Sequence, residues 1–297
     1  MPTTTRRHCL TAALAGALVL ARTATAGVGG GLPELCGSSG ARGSALADAT
    51  VSLRDLDAAS ANPAALAVSG RHSVAVSHTV WVQGTRLTHA ALAGRRGQTD
   101  WGVAAQFFAA GDLERRTGPT AAPLGTFGLY DAALSASLAR AWRPRLRVGM
   151  TGRLLRQSIA TAAAAGAAVD LGVLAAVTPA LQAGVALRYL GAMTRLQRER
   201  TDLPTTLRIG LAYAGSERVR LTGELQRGRG RGTTAHAGAE YLPVRDLAVR
   251  LGYQTGASRR LSAGVGVQRT PWGLDYAYVP LAHGLGAAHQ VSWQLHR

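Results

Sequence analysis

Leu247-Ala248-Val249-Arg250-Leu251-Gly252-Tyr253-Gln254 is followed, after a short polar break, by Leu261-Ser262-Ala263-Gly264-Val265-Gly266-Val267-Gln268. In both stretches the odd positions are apolar and nearly all the even ones are Arg, Gly, Ser or Gln. That is the period of a strand whose two faces meet different surroundings. Upstream the pattern repeats. Val219, Leu221 and Leu225 alternate with Arg220, Thr222, Glu224 and Gln226. Leu207, Ile209, Leu211 and Tyr213 alternate with Arg208, Gly210 and Ala212, and Leu181, Val185, Leu187 and Tyr189 with Gln182, Gly184 and Arg188. A soluble β-sandwich alternates too, so spacing has to separate it from a barrel. Fourteen segments can be counted, centred near residues 76, 89, 105, 135, 151, 170, 185, 208, 221, 237, 250, 264, 276 and 292. Shared over 69–297 this gives about 16 residues per strand and connection, enough for the roughly 9–11 residues of a membrane-spanning strand.

The connections differ by parity. Short ones are expected at 143–144, 178–180, 215–216, 243–245 and 270–271, all but one of them with proline, and longer ones at 111–128, 158–166, 192–203, 227–232, 255–260 and 280–287. Short turns at one rim and long loops at the other are the asymmetry of an outer-membrane barrel. The sequence therefore predicts an all-β fold, a transmembrane antiparallel β-barrel of about 14 strands, with an N-terminal hatch or plug segment.

Composition fits once the two faces are separated. The 297 residues carry 33 basic and 16 acidic side chains, a net charge of +17, and a mean hydropathy of +0.06. Every basic residue is arginine. A chain that is 47% apolar is not a disordered basic tail. A basic excess suggests nucleic acid first, but the absence of lysine resembles codon bias, and the N-terminus points out of the cytoplasm. Arg6 and Arg7 precede an apolar run from Leu10 to Leu20 and then Ala24-Thr25-Ala26. That is the three-part pattern of a cleaved secretory signal, too short to remain as a membrane helix. Thr5-Arg6-Arg7-His8-Cys9-Leu10 also has some twin-arginine character. The reading is 1–26 signal peptide, 27–68 hatch segment inside the barrel, and 69–297 barrel in the outer membrane, with no nucleic-acid partner. After cleavage Cys36 is the single cysteine and forms no intrachain disulfide.

If apolar positions meet lipid, the alternate ones line a lumen. The inward charges then include Arg147, Arg153, Arg188, Arg208, Arg220 and Arg250, with Asp131, Asp170, Glu224, Glu240 and Asp275. Near balance predicts mutual pairing in a polar interior, where an unpaired buried charge is costly; a polar passage or a ligand lining is the functional alternative.

Residues 27–68 lack alternation. They hold Gly40-Ala41-Arg42, then Arg54-Asp55-Leu56-Asp57-Ala58, then Asn62-Pro63-Ala64-Ala65-Leu66-Ala67. Pro63 fixes its own backbone and biases Asn62 to extended geometry, and the Asn amide can bond nearby backbone, giving a rigid corner. These three stretches resemble the N-terminal signature of the PorV/PorQ family of outer-membrane proteins, related in fold to the FadL long-chain fatty-acid transporters. Gly273-Leu274-Asp275-Tyr276-Ala277-Tyr278-Val279-Pro280 with His289-Gln290-Val291-Ser292 is similar to their final hairpin. The resemblance implies a 14-stranded barrel with a hatch, whose motif residues here are Arg42, Asp55, Asp57, Asn62, Pro63 and Ala64. The usual Asn-Pro-Ala-Gly is Asn62-Pro63-Ala64-Ala65 here, and the chain ends Trp293-Gln294-Leu295-His296-Arg297 without a terminal aromatic.

No enzymatic motif is found. The histidines at 8, 72, 78, 89, 236, 283, 289 and 296 have no metal-ligand spacing, and Gly228-Arg229-Gly230-Arg231-Gly232 lacks the helix and acid of a dinucleotide fingerprint. No metal, cofactor or catalytic residue is expected. Arg115, Arg116, Arg195, Arg198 and Arg200 fall in expected outer loops, where guanidinium suits the phosphates of lipopolysaccharide. Two functions follow. One is a non-enzymatic PorV/PorQ-type protein in secretion or docking of exported proteins (type IX-like), or an envelope component. The other is a FadL-like channel for small hydrophobic molecules. An outer-membrane enzyme or a secreted soluble β protein stands third. Expected partners are outer-membrane lipids, lipopolysaccharide, the barrel-assembly machinery, and secreted proteins or hydrophobic solutes.

Overall fold

The computed structural model describes residues 32, 37–119, 122–196, 199–230, 232–256 and 260–297. The signal segment, its cleavage site and Cys36 lie outside the described residues, as does Arg198. Seven strands come first: β1 (His72–Val80), β2 (Arg86–Arg96), β3 (Thr99–Arg115), β4 (Gly125–Arg143), β5 (Leu146–Ile159), β6 (Ala162–Ala176) and β7 (Leu181–Met193). A two-stranded ribbon of β8 (Arg195–Leu196) and β9 (Glu199–Arg200) stands apart. Seven more follow: β10 (Thr206–Ala214), β11 (Val219–Gly228), β12 (Thr233–Val244), β13 (Leu247–Gln254), β14 (Leu261–Arg269), β15 (Trp272–Pro280) and β16 (Ala287–His296). Neighbours in sequence pair antiparallel, β7 pairs β10, and β1 pairs β16, closing a barrel of fourteen strands. Every expected centre falls inside one of them.

The outer face carries the apolar set read from the sequence. Leu134, Leu154, Leu211, Leu251 and Val265 are all exposed. Near the short-turn rim Trp101, Trp142, Tyr213, Tyr241 and Trp272 point outward; near the long-loop rim Phe107, Tyr130, Tyr253 and Tyr278 do. Phe107 and Tyr130 stack with centroids 6.2 Å apart. An apolar band between two aromatic girdles is the exterior of a transmembrane barrel.

Rim parity holds with two corrections. The 111–128 segment, expected as a loop, is mostly strand: β3 continues past a bulge, with Asp112 at φ 54, to pair Leu113 with Phe127 and Arg115 with Gly125. The 158–166 loop is a two-residue turn, because β5 and β6 pair without a break from Leu146↔Ala175 to Ile159↔Ala162. The run Ala162-Ala163-Ala164-Ala165-Gly166-Ala167-Ala168 offers no polar–apolar contrast, so a strand there leaves no periodic trace. Together β3–β6 form a wall standing above the rest of the rim.

One register reading is also corrected. Tyr189, expected on the lipid face with Leu187, is buried inside. A β-bulge sets Arg188 and Tyr189 together opposite Asp170, with Tyr189 at φ 56 and its N–H donating to Asp170 Oδ1 at 2.8 Å. The extra residue turns both side chains inward.

Candidate functional site: a plugged lumen

Residues 37–68 run down the bore. Leu32 packs with Leu155, Met193 and Leu203 towards the long-loop mouth, and Val68 packs with Ala93 and Ala139 near the opposite rim. Between them lies one short helix, α1 (Ala41–Ala45), and two single turns, Ala58–Ser60 and Pro63–Ala65.

This segment has little secondary structure of its own, so its backbone groups need partners elsewhere. The wall supplies them. On β16, Ser292 Oγ accepts from Ala41 N–H at 2.6 Å, and Gln290 Nε2 donates to Ser39 O at 3.2 Å. Ser262 of β14 accepts from Ala47 N–H and donates to Ala45 O. His236 Nδ1 of β12 lies 2.7 Å from Ala47 O. Glu224 of β11 accepts from Val51 N–H at 3.0 Å, and Arg208 of β10 donates to Asp48 O at 2.5 Å. Arg147 of β5 donates to the carbonyls of Ala64 and Leu66.

The Asn62-Pro63 corner is the tightest point. Asn62 is extended at φ −145, ψ 113 and fully buried. Its amide nitrogen donates to Val51 O at 2.8 Å and to Val173 O on β6 at 3.0 Å, and its Oδ1 accepts from Ala64 N–H at 3.0 Å. All three bonds of one side chain therefore hold the plug to itself and to the wall. Glycine makes the approach possible. A Cβ at Gly149 would overlap Pro63 and Ala64 backbone, and one at Gly172 would overlap Asn62 Oδ1; Gly184 and Gly252 stand likewise against Val51 and Leu46–Ala47. At these four inward positions of β5, β6, β7 and β13 the backbone of the wall itself comes close to the plug. Gly172→Val is accordingly expected to push the corner off the wall while leaving the barrel closed. The change is read as a rise of about ten-fold in protease cleavage of the 37–68 segment, on the scale of a lost buried contact of 1–3 kcal/mol; unchanged cleavage would show that the corner does not depend on this fit.

The inward charges form a chain of pairs. Arg42 reaches from α1 to Glu240, with Nε–Oε2 and Nη2–Oε1 both 2.9 Å, and also pairs with Asp55. Glu240 further takes Arg220 at 3.0 Å and Arg250 at 2.7 Å, and Arg250 passes on to Asp275 at 2.6 Å. Arg208 pairs with Glu224, Arg153 with Asp170 at 2.7 Å, and Arg147 with Asp100 at 2.7 Å. Arg188 donates to Tyr189 Oη at 2.7 Å and lies over its ring at 4.6 Å, and Arg153 lies over the same ring at 5.1 Å. Charge-balanced pairs keep a bore polar without a single-sign field. Asp100, Ser262, Gln290, Ser292 and Gln294 belong to this set too, and the sequence reading did not single them out for the lumen. The last four are neutral positions of inward parity, which a search for charges alone passes over; Asp100 is a charge of the same parity on β3 that the search omitted.

Asp57 is held by a neutral partner. Buried at the end of the segment, it takes a hydrogen bond from Gln294 Nε2 at 2.9 Å and no ion pair is seen with it among the described residues. Burial, then the nearby carboxylates of Asp55 and Asp275, pushes its acid up to about 7, against the pull of Arg42 and Arg250. A carboxyl whose folded value lies above its unfolded value of 3.8 stabilises the fold while protonated. That contribution is complete below pH about 4 and is lost as pH rises through about 7. The denaturant midpoint of the wild type should therefore fall between pH 5 and pH 8 more than that of Asp57→Asn; parallel curves for the two would remove Asp57 as the cause.

Between the plug and β2–β4 the free space is about 40 Å³, room for about three waters. A larger chamber of about 320 Å³ opens above α1 at the long-loop mouth.

No protein-family model matches the chain, and no curated protein matches it by sequence. Solved structures do match by fold. The CymD monoaromatic hydrocarbon channel superposes with TM-score 0.68 at 12% identity, over 89% of this chain and 98% of its own. The Pseudomonas putida toluene transporter TodX superposes with TM-score 0.67 at 13% identity, over 88% and 99%. A Pseudomonas aeruginosa FadL homologue gives 0.64 at 12%, over 90% and 99%. The chain shares the barrel fold of these three proteins.

Proposed function

We propose that the chain is a non-enzymatic outer-membrane channel for small hydrophobic molecules, with residues 27–68 as a movable hatch. The observation that carries this is the segment 37–68 itself: it lies inside the barrel and is held by side-chain hydrogen bonds and ion pairs rather than by strand pairing. Such contacts can be exchanged one at a time. The neighbours support the solute class, since two of them are named for monoaromatic hydrocarbons and toluene. On this reading residues 1–26 direct export and are cleaved, the short-turn rim is periplasmic, and the outer-loop arginines meet lipopolysaccharide after the assembly machinery has inserted the barrel.

A PorV/PorQ-type docking role for exported proteins is the second reading. The projecting β3–β6 wall is the feature that favours it, because it offers a rigid surface beyond the membrane. Flux into liposomes separates the two. Purified protein should admit toluene faster than empty vesicles do. No flux of any hydrophobic or small polar solute, with or without residues 27–68, would end the channel reading, and co-purification of a secreted protein on the β3–β6 wall would replace it.

A further inference from the structure

The outer face of the barrel turns cationic where β2, β3 and β4 reach the short-turn rim. Thr99 on β3 pairs with Arg96 of β2 on one side and with Arg140 of β4 on the other, so the three stand in one row across neighbouring strands. Parity points the row outward. Arg96 lies four residues after the exposed Leu92, Thr99 four before the exposed Val103, and Arg140 two after the exposed Leu138. Strands stand about 4.8 Å apart, which sets the two arginine backbones roughly 10 Å apart with the threonine midway. Both arginines are exposed, and among the described residues neither has an ion pair. Asp100, the nearest acid in sequence, faces the lumen, where Arg95 holds it at 2.5 Å and Arg147 at 2.7 Å.

The surroundings set the sign and the shape of an occupant. The connections beside the row add the exposed Arg71, Arg143 and Arg145. The exposed acids of this rim among the described residues, Glu217 and Asp246, stand across the barrel in the β10–β11 and β12–β13 turns, each with an arginine next to it, Arg218 and Arg245. The positive excess is therefore concentrated on one arc. Towards the middle of the membrane the same arc is apolar, with Leu92, Val103 and Leu138 on neighbouring strands. Trp101 lies across Gly94 towards His72, the two rings 6.5 Å apart.

We propose that this row is a binding site for an acidic phospholipid, with the phosphate over Thr99 between Arg96 and Arg140 and the acyl chains on Leu92, Val103 and Leu138. Guanidinium pairs bidentately with phosphate oxygens, and the threonine hydroxyl supplies one further donor. A head group of net negative charge offsets the excess on this arc, which a zwitterionic one leaves in place. An acidic protein would meet the same arginines but not the apolar wall beside them. Charge and wall lie on one continuous face, and a molecule with both ends covers both. The site does not depend on whether the barrel conducts or docks.

The test titrates the full chain in detergent micelles with dioleoylphosphatidylglycerol and with dioleoylphosphatidylcholine, and counts bound lipid by native mass spectrometry. The wild type should prefer the glycerol lipid by at least about ten-fold, and the preference should shrink as salt is raised from about 0.1 to about 1 M. Arg96→Gln combined with Arg140→Gln should abolish the preference and leave the choline lipid as it was. Arg218→Gln combined with Arg245→Gln removes the same charge from the opposite arc and should change nothing. Equal loss in the two double variants would mean net charge rather than a site and would overturn the proposal. A wild type that takes both lipids equally would overturn it as well, and that result requires no variant to fold. Inorganic phosphate in large excess should leave the lipid bound; displacement would show that the row takes phosphate without the chains. Polyglutamate held by the wild type and lost in the Arg96 and Arg140 variant, with no lipid preference in either, would replace the lipid by an acidic protein.

Discussion

In a planar bilayer the full-length protein is expected to carry almost no ion current, and a chain whose export signal is joined directly to residue 69 is expected to carry at least about ten-fold more. Eight strands enclose little more than their own side chains and sixteen leave an aqueous channel; fourteen fall near the upper end. What fills this bore is residues 37–68, with about 40 Å³ left beside β2–β4. The wall survives the loss because most of its charges pair within it. Arg208–Glu224, Arg153–Asp170, Arg147–Asp100 and Arg250–Asp275 involve no plug residue. Of the charge pairs described, those of Arg42 are the ones that join plug to wall or close within the plug. Equal current from the two chains would mean that the segment does not obstruct the lumen.

The second large effect is expected at Glu240. This carboxylate sits between Arg42 at 2.9 Å, Arg250 at 2.7 Å and Arg220 at 3.0 Å, with only 6% of its side chain exposed. Removing the acid leaves Arg42 with Asp55 alone and Arg250 with Asp275 alone, two nearly buried guanidinium groups facing each other across the space it occupied. Breaking a buried pair from one side costs about 3–5 kcal/mol. Glu240→Ala should lower unfolding stability in urea by that order, and should also loosen the plug, since Arg42 is its charged tie to β12. Arg220, 42% exposed, is screened by solvent and should contribute little to the loss. A midpoint within about 0.5 kcal/mol of wild type would show that Arg42 is satisfied by Asp55 alone. Glu240→Gln keeps one accepting oxygen but turns an NH2 donor towards guanidinium donors, and should lose nearly as much as Glu240→Ala.

Strand number, lipid face and rim parity were legible in the sequence because a membrane barrel must satisfy every backbone group by neighbouring strands and expose one face to hydrocarbon. That requirement writes a period of two into the chain. It fails at Tyr189, where one inserted residue shifts the phase, and in the alanine run 162–168, where both faces use the same side chain. The charged half of the lumen was legible because arginine and acid stand out. The path of the plug was not: it depends on where wall glycines admit backbone, and glycines at 149, 172, 184 and 252 look in sequence like any other small inward residue.

The plug also bears on the order in which the molecule is made. Its residues precede β1, yet they bond to Gln290, Ser292 and Gln294 on β16, up to 251 positions away, and β16 is the strand that meets β1 to complete the ring. Placing the plug and closing the seam are therefore coupled: contacts so remote in sequence are slow to form, and the plug groups that meet the polar side chains of β16 favour the closed ring. The stopper is in this sense also the mandrel around which the final seam is set.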